Sequence, residues 1–570
     1  MKLRWGLGAA VTAMSLGAAL SAGCVNSDDH VAPDGGVTFE GGAGAQPDTS
    51  IEAPDAPGIT PDASGDAPSD SASDAPVDAP GDAPAETDAG PPPGVYVDPV
   101  NGLDTNAGTA ASPFKSIARA AQVLNAPDAG ASQTVYLADG TYDATSQPNM
   151  YVTFNTPTFV RGSAPGKAIF SGTGASNEGL LFQNGGGVAN MAFKNTSYGV
   201  QAHHGTFTLA GTSFDGAGKL GFPMSFINET VATVDATGVT PFLKNIPTSP
   251  SNAGCMYLDG TADVAWKAVG TLTSTSGANC VFMRGGAKLA VDGMNLQGMN
   301  GIAFVLFDRA QVSLKSSVLN NVAPQPGAVS FSQRAAIWMG GSQTGAPNST
   351  LTLDSSSITG GAGSGISYSV IGTTTLATLT LANSHVDGNA YSGIWISGAP
   401  AANLAVQITS TGTTFDGNGI SGITSVRGNV VLTGGSVSTN GAGGAVTALG
   451  QTPGGVRLTD ATAVNALKMR SVALGANTGN ALAFAGTAAS TLDLGTAASL
   501  GASTFSGVPG GSSALSLTAL VNATAIGNTW MPNVQGADAT GKYLSATTLT
   551  GAASGLNVTE PSGASVVMAP

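Results

Sequence analysis

Charge is scarce in this chain: Lys, Arg, Asp and Glu make up only 10% of its 570 residues, against about a quarter in an ordinary soluble domain. That deficit argues against helical bundles and α/β enzymes, whose solvent faces are charged. There are only four histidines and three cysteines, too few for a disulfide framework and without the spacing of a zinc site. His203 and His204 are neighbours, and successive strand residues face opposite sides, so a regular strand cannot aim both at one metal. No basic patch suited to nucleic acid occurs, nor a phosphate-cradling loop or nucleophile elbow. Beyond residue 23 no apolar run reaches the about 18 residues of a spanning helix. What the chain has instead is glycine, 81 residues of it, about double the usual share and without the triplet period of collagen.

The net charge of −15 is not spread along the chain. Residues 24–93 contain no Lys or Arg and carry Asp62, Asp66, Asp70, Asp74, Asp78, Asp82 and Glu86 at every fourth position, whereas acids and bases nearly balance from residue 94 onward. With little to bury and strong self-repulsion, 24–93 is expected to be a disordered acidic tether. Before it, Lys2 and Arg4 precede a short apolar run from Leu7 to Leu20, the pattern of a secretory signal over residues 1–23. The run ends in Leu20-Ser21-Ala22-Gly23-Cys24, which resembles the lipobox of bacterial lipoproteins, with Leu displaced one place outward. The resemblance implies lipidation at Cys24, and Val25 after it implies an outer-membrane or cell-surface destination. Plain secretion, with Cys24 an incidental thiol, is the other reading.

From residue 94 the chain reads as one long repeat domain. Val95-Tyr96-Val97-Asp98, Asp104 to Thr109, Ser112-Pro113-Phe114-Lys115-Ser116-Ile117 and Val135-Tyr136-Leu137-Ala138-Asp139-Gly140-Thr141-Tyr142 follow in order. Ser112 is placed to cap a short helix with Pro113 in its first turn, and Ile117, Ala120, Ala121 and Leu124 make its apolar face. This order resembles the opening module of bacterial pectate-lyase-like right-handed parallel β-helix proteins, which implies that the helix caps the first coil. Independently, Gly365-Ile366, Gly393-Ile394, Gly422-Ile423 and Gly444-Ala445 recur after 28, 29 and 22 residues, and Asn389, Asn418 and Asn440 precede the last three by five. Irregular repeats of about 25 residues with short alternating strands predict an all-β, single-stranded parallel β-helix whose coils share one core. Upstream the same frame fits Val200, Phe222, Cys255, Cys280 and Ile302. The segment from Asn528 through Trp530 to Tyr543 is a candidate C-terminal cap.

The candidate sites each have a plainer reading. Asn389, Asn418 and Asn440 could face a sugar, but an internal amide ladder is favoured. Asp387 and Asp416 fall at one place in consecutive coils, close enough for Ca²⁺ or for an acid and nucleophile pair, yet each sits in an Asp-Gly-Asn turn where a carboxylate bonds nearby backbone. Asp259 and Arg284 align across one coil, with Asp308 and Arg309 near the next equivalent place. Pectate lyases combine calcium-binding acids with a proton-abstracting Arg, a likeness here of composition only, and an ion pair is the plainer reading. Alternation turns Trp338 and Trp395 outward on one face, where they could form a glycan platform or lie under a loop. Cys255 and Cys280 share one buried position in adjacent coils, as a disulfide or as stacked thiols.

These readings favour a lipid-anchored cell-surface β-helix protein, monomeric, that binds polysaccharide or a surface protein, or is purely structural, with no nucleic-acid partner, no cofactor and no metal beyond the Ca²⁺ alternative. The competing reading is a polysaccharide lyase or glycoside hydrolase on acidic polysaccharide using Asp259, Arg284, Asp387 or Asp416.

Overall fold

The computed structural model describes residues 93–530, with gaps such as 325–333, 341–348 and 398–405, and a final strand Ser565–Val567. The signal, Cys24, the acidic tether and most of the C-terminal cap segment lie outside the described residues. Among those described, no helix is long and apolar enough to cross a membrane.

The chain winds as a right-handed parallel β-helix. A representative coil runs from a first face (Ser364–Ser369) to a second (Thr378–Ala382), turns sharply into a third (His385–Asp387), and re-enters the first face at Ser392–Ser397. Every strand pairs in parallel with its equivalent one coil away, so that Ile337, Ile366, Ile394, Ile423, Val456 and Leu482 form one buried column. The first two faces merge into a 29-stranded sheet, because Val200–Ala210 and Met224–Asp235 run unbroken through the corner between them. Alternation explains the burial: in Asp263–Lys267 the residues Val264 and Trp266 point inward while Asp263, Ala265 and Lys267 face solvent.

The corners follow from residue chemistry. Between the second and third faces the chain needs a left-handed residue, supplied by Ser355, Asn383 and Gly412 at φ of 49°, 47° and 61°. Next comes a buried hydroxyl: Ser317 N–H donates to Ser356 Oγ (3.1 Å), Ser356 N–H to Ser384 Oγ (3.2 Å) and Ser384 N–H to Thr413 Oγ1 (3.4 Å). Each hydroxyl thus satisfies a backbone donor that the tight corner would otherwise bury unpaired.

The cap helix, α1 (Ile117–Leu124), buries the expected face of Ile117, Ala120, Ala121 and Leu124. Its cap is Ser116 rather than Ser112: Ser116 Oγ accepts from Arg119 N–H at 3.0 Å. Asp104 in turn accepts from the N–H groups of Lys115 and Ser116 and from Ser116 Oγ. Ser112 is drawn into a bridge with Thr109, and Phe114 bridges Val97, so the backbone there is already committed to extended pairing. Two expected frames also shift. Gly444-Ala445 lies outside the described residues, and the register partner of Ile423 is Val456, displaced by an insertion after Asn440. Met224 and Phe304, not Phe222 and Ile302, hold the inward column.

Candidate functional site

The asparagines at the third corner are internal. Asn389, Asn418 and Asn440 are at most 1% exposed. Asn418 Oδ1 accepts from the backbone N–H and the amide of Asn389, while Asn418 Nδ2 donates to Val386 O and Asn440 Oδ1. Asn477 extends the same row. In Asn389, Asn418 and Asn440 both amide protons are donated and the oxygen accepts a backbone N–H, so the row is committed to the corner.

The two aspartates are tied in the same way. Asp387 accepts from Asp416 N–H at 2.7 Å and Thr414 Oγ1 at 2.6 Å, and Asp416 accepts from Ser438 N–H at 2.6 Å and Ser436 Oγ at 2.5 Å. Burial, reinforced by the charge of Asp387, raises the Asp416 pKa against the pull of its hydrogen bonds. Their carboxylates are thus braces between coils. Among the described residues no three His, Cys, Asp or Glu side chains gather as a metal site needs.

The first face carries a different kind of row on its outside. In Met256–Leu258 and Val281–Met283 the middle residues, Tyr257 and Phe282, point outward between inward neighbours. They join Phe222, Phe307 and Trp338 in a half-buried stripe along the helix axis. Ring centroids are 5.5 Å apart for Phe222 and Tyr257, 5.9 Å for Tyr257 and Phe282, 5.6 Å for Phe282 and Phe307, and 5.0 Å for Phe307 and Trp338. The first two pairs are stacked, so their edges form an apolar ridge, and Trp338 ends the row at 86° to Phe307. Two glycines make the row possible. A Cβ on Gly340 would come within 2.2 Å of the Phe307 ring, and one on Gly254 within 2.6 Å of the Phe222 ring.

Asp259 and Arg284 border this ridge. Arg284 Nε lies 2.7 Å from Asp259 Oδ2, to which the Tyr257 hydroxyl also donates at 2.7 Å. The guanidinium sits 5.7 Å from the Tyr257 ring centroid, in cation–π range. Burial, the largest single influence, opposes the charge on Arg284, but the hydrogen bond to Asp259 together with the interactions with Tyr257 and the Asp259 charge outweighs it and the pKa is raised. Burial first and the Asp259 charge second push the Tyr257 phenol up. An arginine that abstracts a proton needs the opposite shift.

The remaining candidates divide. Trp338 and Trp395 do share one outward column two coils apart, with Ser367 between them. Trp338 is half-buried and its indole N–H donates to Ser369 Oγ at 3.2 Å, but Trp395 keeps only 7% exposure. The expectation of two open rings is therefore corrected: Trp395, flanked in register by the small residues Ser367 and Thr424, settles into the wall. Cys255 and Cys280 stand in adjacent coils with Cα atoms 4.5 Å apart and sulfurs in bonding distance, one residue ahead of the inward column.

The fold is that of a parallel β-helix rod, and comparison with known proteins agrees. Residues 279–462 match the family model described as right handed beta helix region, and residues 100–211 match one described as protein of unknown function (DUF1565). No curated protein sequence matches the chain. Among solved structures, a periplasmic alginate epimerase aligns over 60% of this chain and 85% of its own, at 11% identity and a TM-score of 0.33. A pectate lyase aligns over 66% and 78%, at 13% identity and a TM-score of 0.28. The A-module of an Azotobacter vinelandii mannuronan C-5 epimerase aligns over 71% and 94%, at 12% identity and a TM-score of 0.27.

Proposed function

We propose that this protein is an exported, lipid-anchored β-helix rod that binds polysaccharide along its first face without cleaving it. The observation that carries the reading is the ridge from Phe222 to Trp338, a line of rings held half-exposed on a rigid sheet. Apolar rings on rigid strands suit the apolar faces of sugars and lose little conformational entropy on binding. The non-catalytic part is supported by the engagement of the acids: Asp387 and Asp416 brace neighbouring coils, and Asp259 is held by Arg284 and Tyr257. Lipidation at Cys24 and the acidic tether would hold the rod away from the membrane surface.

The proximity of Tyr257, Asp259 and Arg284 to the ridge favours the second reading, a lyase or hydrolase. One experiment separates the two. The full chain, with Cys24→Ser to avoid detergent, is incubated with a panel of polysaccharides while binding, new reducing ends and unsaturated products are followed with and without Ca²⁺. Binding without products, weakened in Phe282→Ala and Trp338→Ala, supports the proposal. Depolymerisation abolished by Arg284→Gln makes the protein an enzyme.

A further inference from the structure

The charges along the rod bear on which polysaccharide the ridge accepts, an inference that rests on the binding reading above. On the second face, the outward residues Asp235, Lys267, Asp292, Lys315 and Asp354 follow one another in register, coil by coil. Asp263 stands beside Lys288 at the opposite end of the same strands. Signs therefore alternate at the coil spacing of about 4.8 Å. Opposite charges in adjacent strands stabilise that pairing, and a slip by one coil would set like against like. The same alternation cancels any field along the axis: beyond a few coils a line of alternating charge looks neutral. On the first face two guanidiniums border the ridge: that of Arg284 is bound to Asp259 at 2.7 Å, and Arg309, two residues past Phe307 and next to Asp308 in sequence, is exposed. Arg334 donates to the Tyr391 hydroxyl at 2.9 Å. Farther along the same outward column, half-buried Arg457 donates to Thr452 O at 2.6 Å.

An acidic polysaccharide presents carboxylates at a regular repeat and needs a row of available cations or bridging divalent ions. Laid along this rod it would meet Asp and Lys in alternation on the second face, and beside the ridge one guanidinium already paired with Asp259 and one exposed, Arg309, rather than a row of cations. Desolvating its carboxylates against the rings would go uncompensated. A neutral polysaccharide has no such cost, and its apolar ring faces match the ridge. We infer that the ligand of the first face is a neutral polysaccharide, and that Asp259 excludes acidic ones by keeping Arg284 occupied.

The test compares soluble β-glucan and xylan with polygalacturonate and alginate, using the full chain at ~0.05 M and ~0.5 M salt, over which the screening length shrinks about threefold. The expected result is binding to a neutral polymer that changes by less than about twofold with salt, and at least about tenfold weaker binding to the acidic ones. Asp259→Asn removes the carboxylate charge that neutralises Arg284 and is expected to raise affinity for the acidic polymers severalfold, in a salt-sensitive manner. Preference of the unmodified chain for an acidic polymer, with affinity falling steeply as salt rises, would overturn the inference and leave polysaccharide binding standing. Binding to no polymer at all would overturn both, and the salt comparison depends on no variant.

Discussion

The coils before about residue 270 and those after about residue 350 solve the same packing problem with different chemistry. In the first region the interior is aromatic: Phe170, Phe193, Phe214, Phe242 and Trp266 follow one another with centroids 5.3–6.0 Å apart. In the second the interior is mainly aliphatic, with single rings at Tyr368, Phe415, Phe484 and Phe505, and is edged by the Asn389–Asn418–Asn440–Asn477 row and the hydroxyl row at the tight corner. Stacked rings supply large apolar area with little directional demand, whereas amides satisfy corner backbone but demand exact partners. The outward ridge starts within the aromatic region, at Phe222 and Tyr257, and ends before the amide row, so interior and exterior aromatics overlap along part of the rod.

The comparison can be broken at its interior. Phe214→Ala removes a fully buried ring from between Phe193 and Phe214's other neighbour, Phe242, and is expected to cost about 3–5 kcal/mol in denaturant unfolding. Asn418→Ala leaves Asn389 N–H, Val386 O and the flanking amides without their partner, with an expected cost of about 3 kcal/mol. Because each coil touches only its neighbours, either loss should raise hydrogen exchange in its own region and leave the other region nearly unchanged. Gly340→Ala pushes the Phe307 ring aside, with about 1–2 kcal/mol of destabilisation from overpacking and weaker polysaccharide binding. The smallest effect is electrostatic. Burial raises the Asp416 pKa, so the folded state holds its proton to higher pH than the unfolded chain. Stability therefore declines as pH rises from the ordinary carboxylate range through the raised value. Asp416→Asn should flatten that part of the stability curve, measured by thermal unfolding at a series of pH values.

Much of this architecture is legible in the residues. Glycine followed by an inward apolar residue, with Asn five places earlier, is visible because each Asn satisfies one corner and each corner opens one strand. The adjacency of Cys255 and Cys280 follows from the same repeat, which left disulfide and stacked thiols both open, whereas Asp387 and Asp416, expected to bond backbone in their own turns, bond the next coil instead. The ridge is less legible: Tyr257 and Phe282 each occupy a triplet too short to show alternation clearly, and Phe307 and Phe222 fall outside the strands altogether. The signal was an aromatic between two inward residues, recurring after 25 positions. Trp395 misled for the converse reason, since alternation gives the direction of a side chain but not what covers it. Ser112 misled because extended pairing of Phe114 with Val97 competes with helix initiation.

The central claim, that the aromatic ridge is the binding surface, is tested most directly by hydrogen exchange of the full chain with and without a saturating polysaccharide. The account expects protection in Met256–Leu258, Val281–Met283, Phe304–Leu306 and Ala335–Gly340, and none in the third-face strands His385–Asp387 and Ser436–Ser438. Protection centred on those third-face strands, with the ridge unchanged, would contradict it.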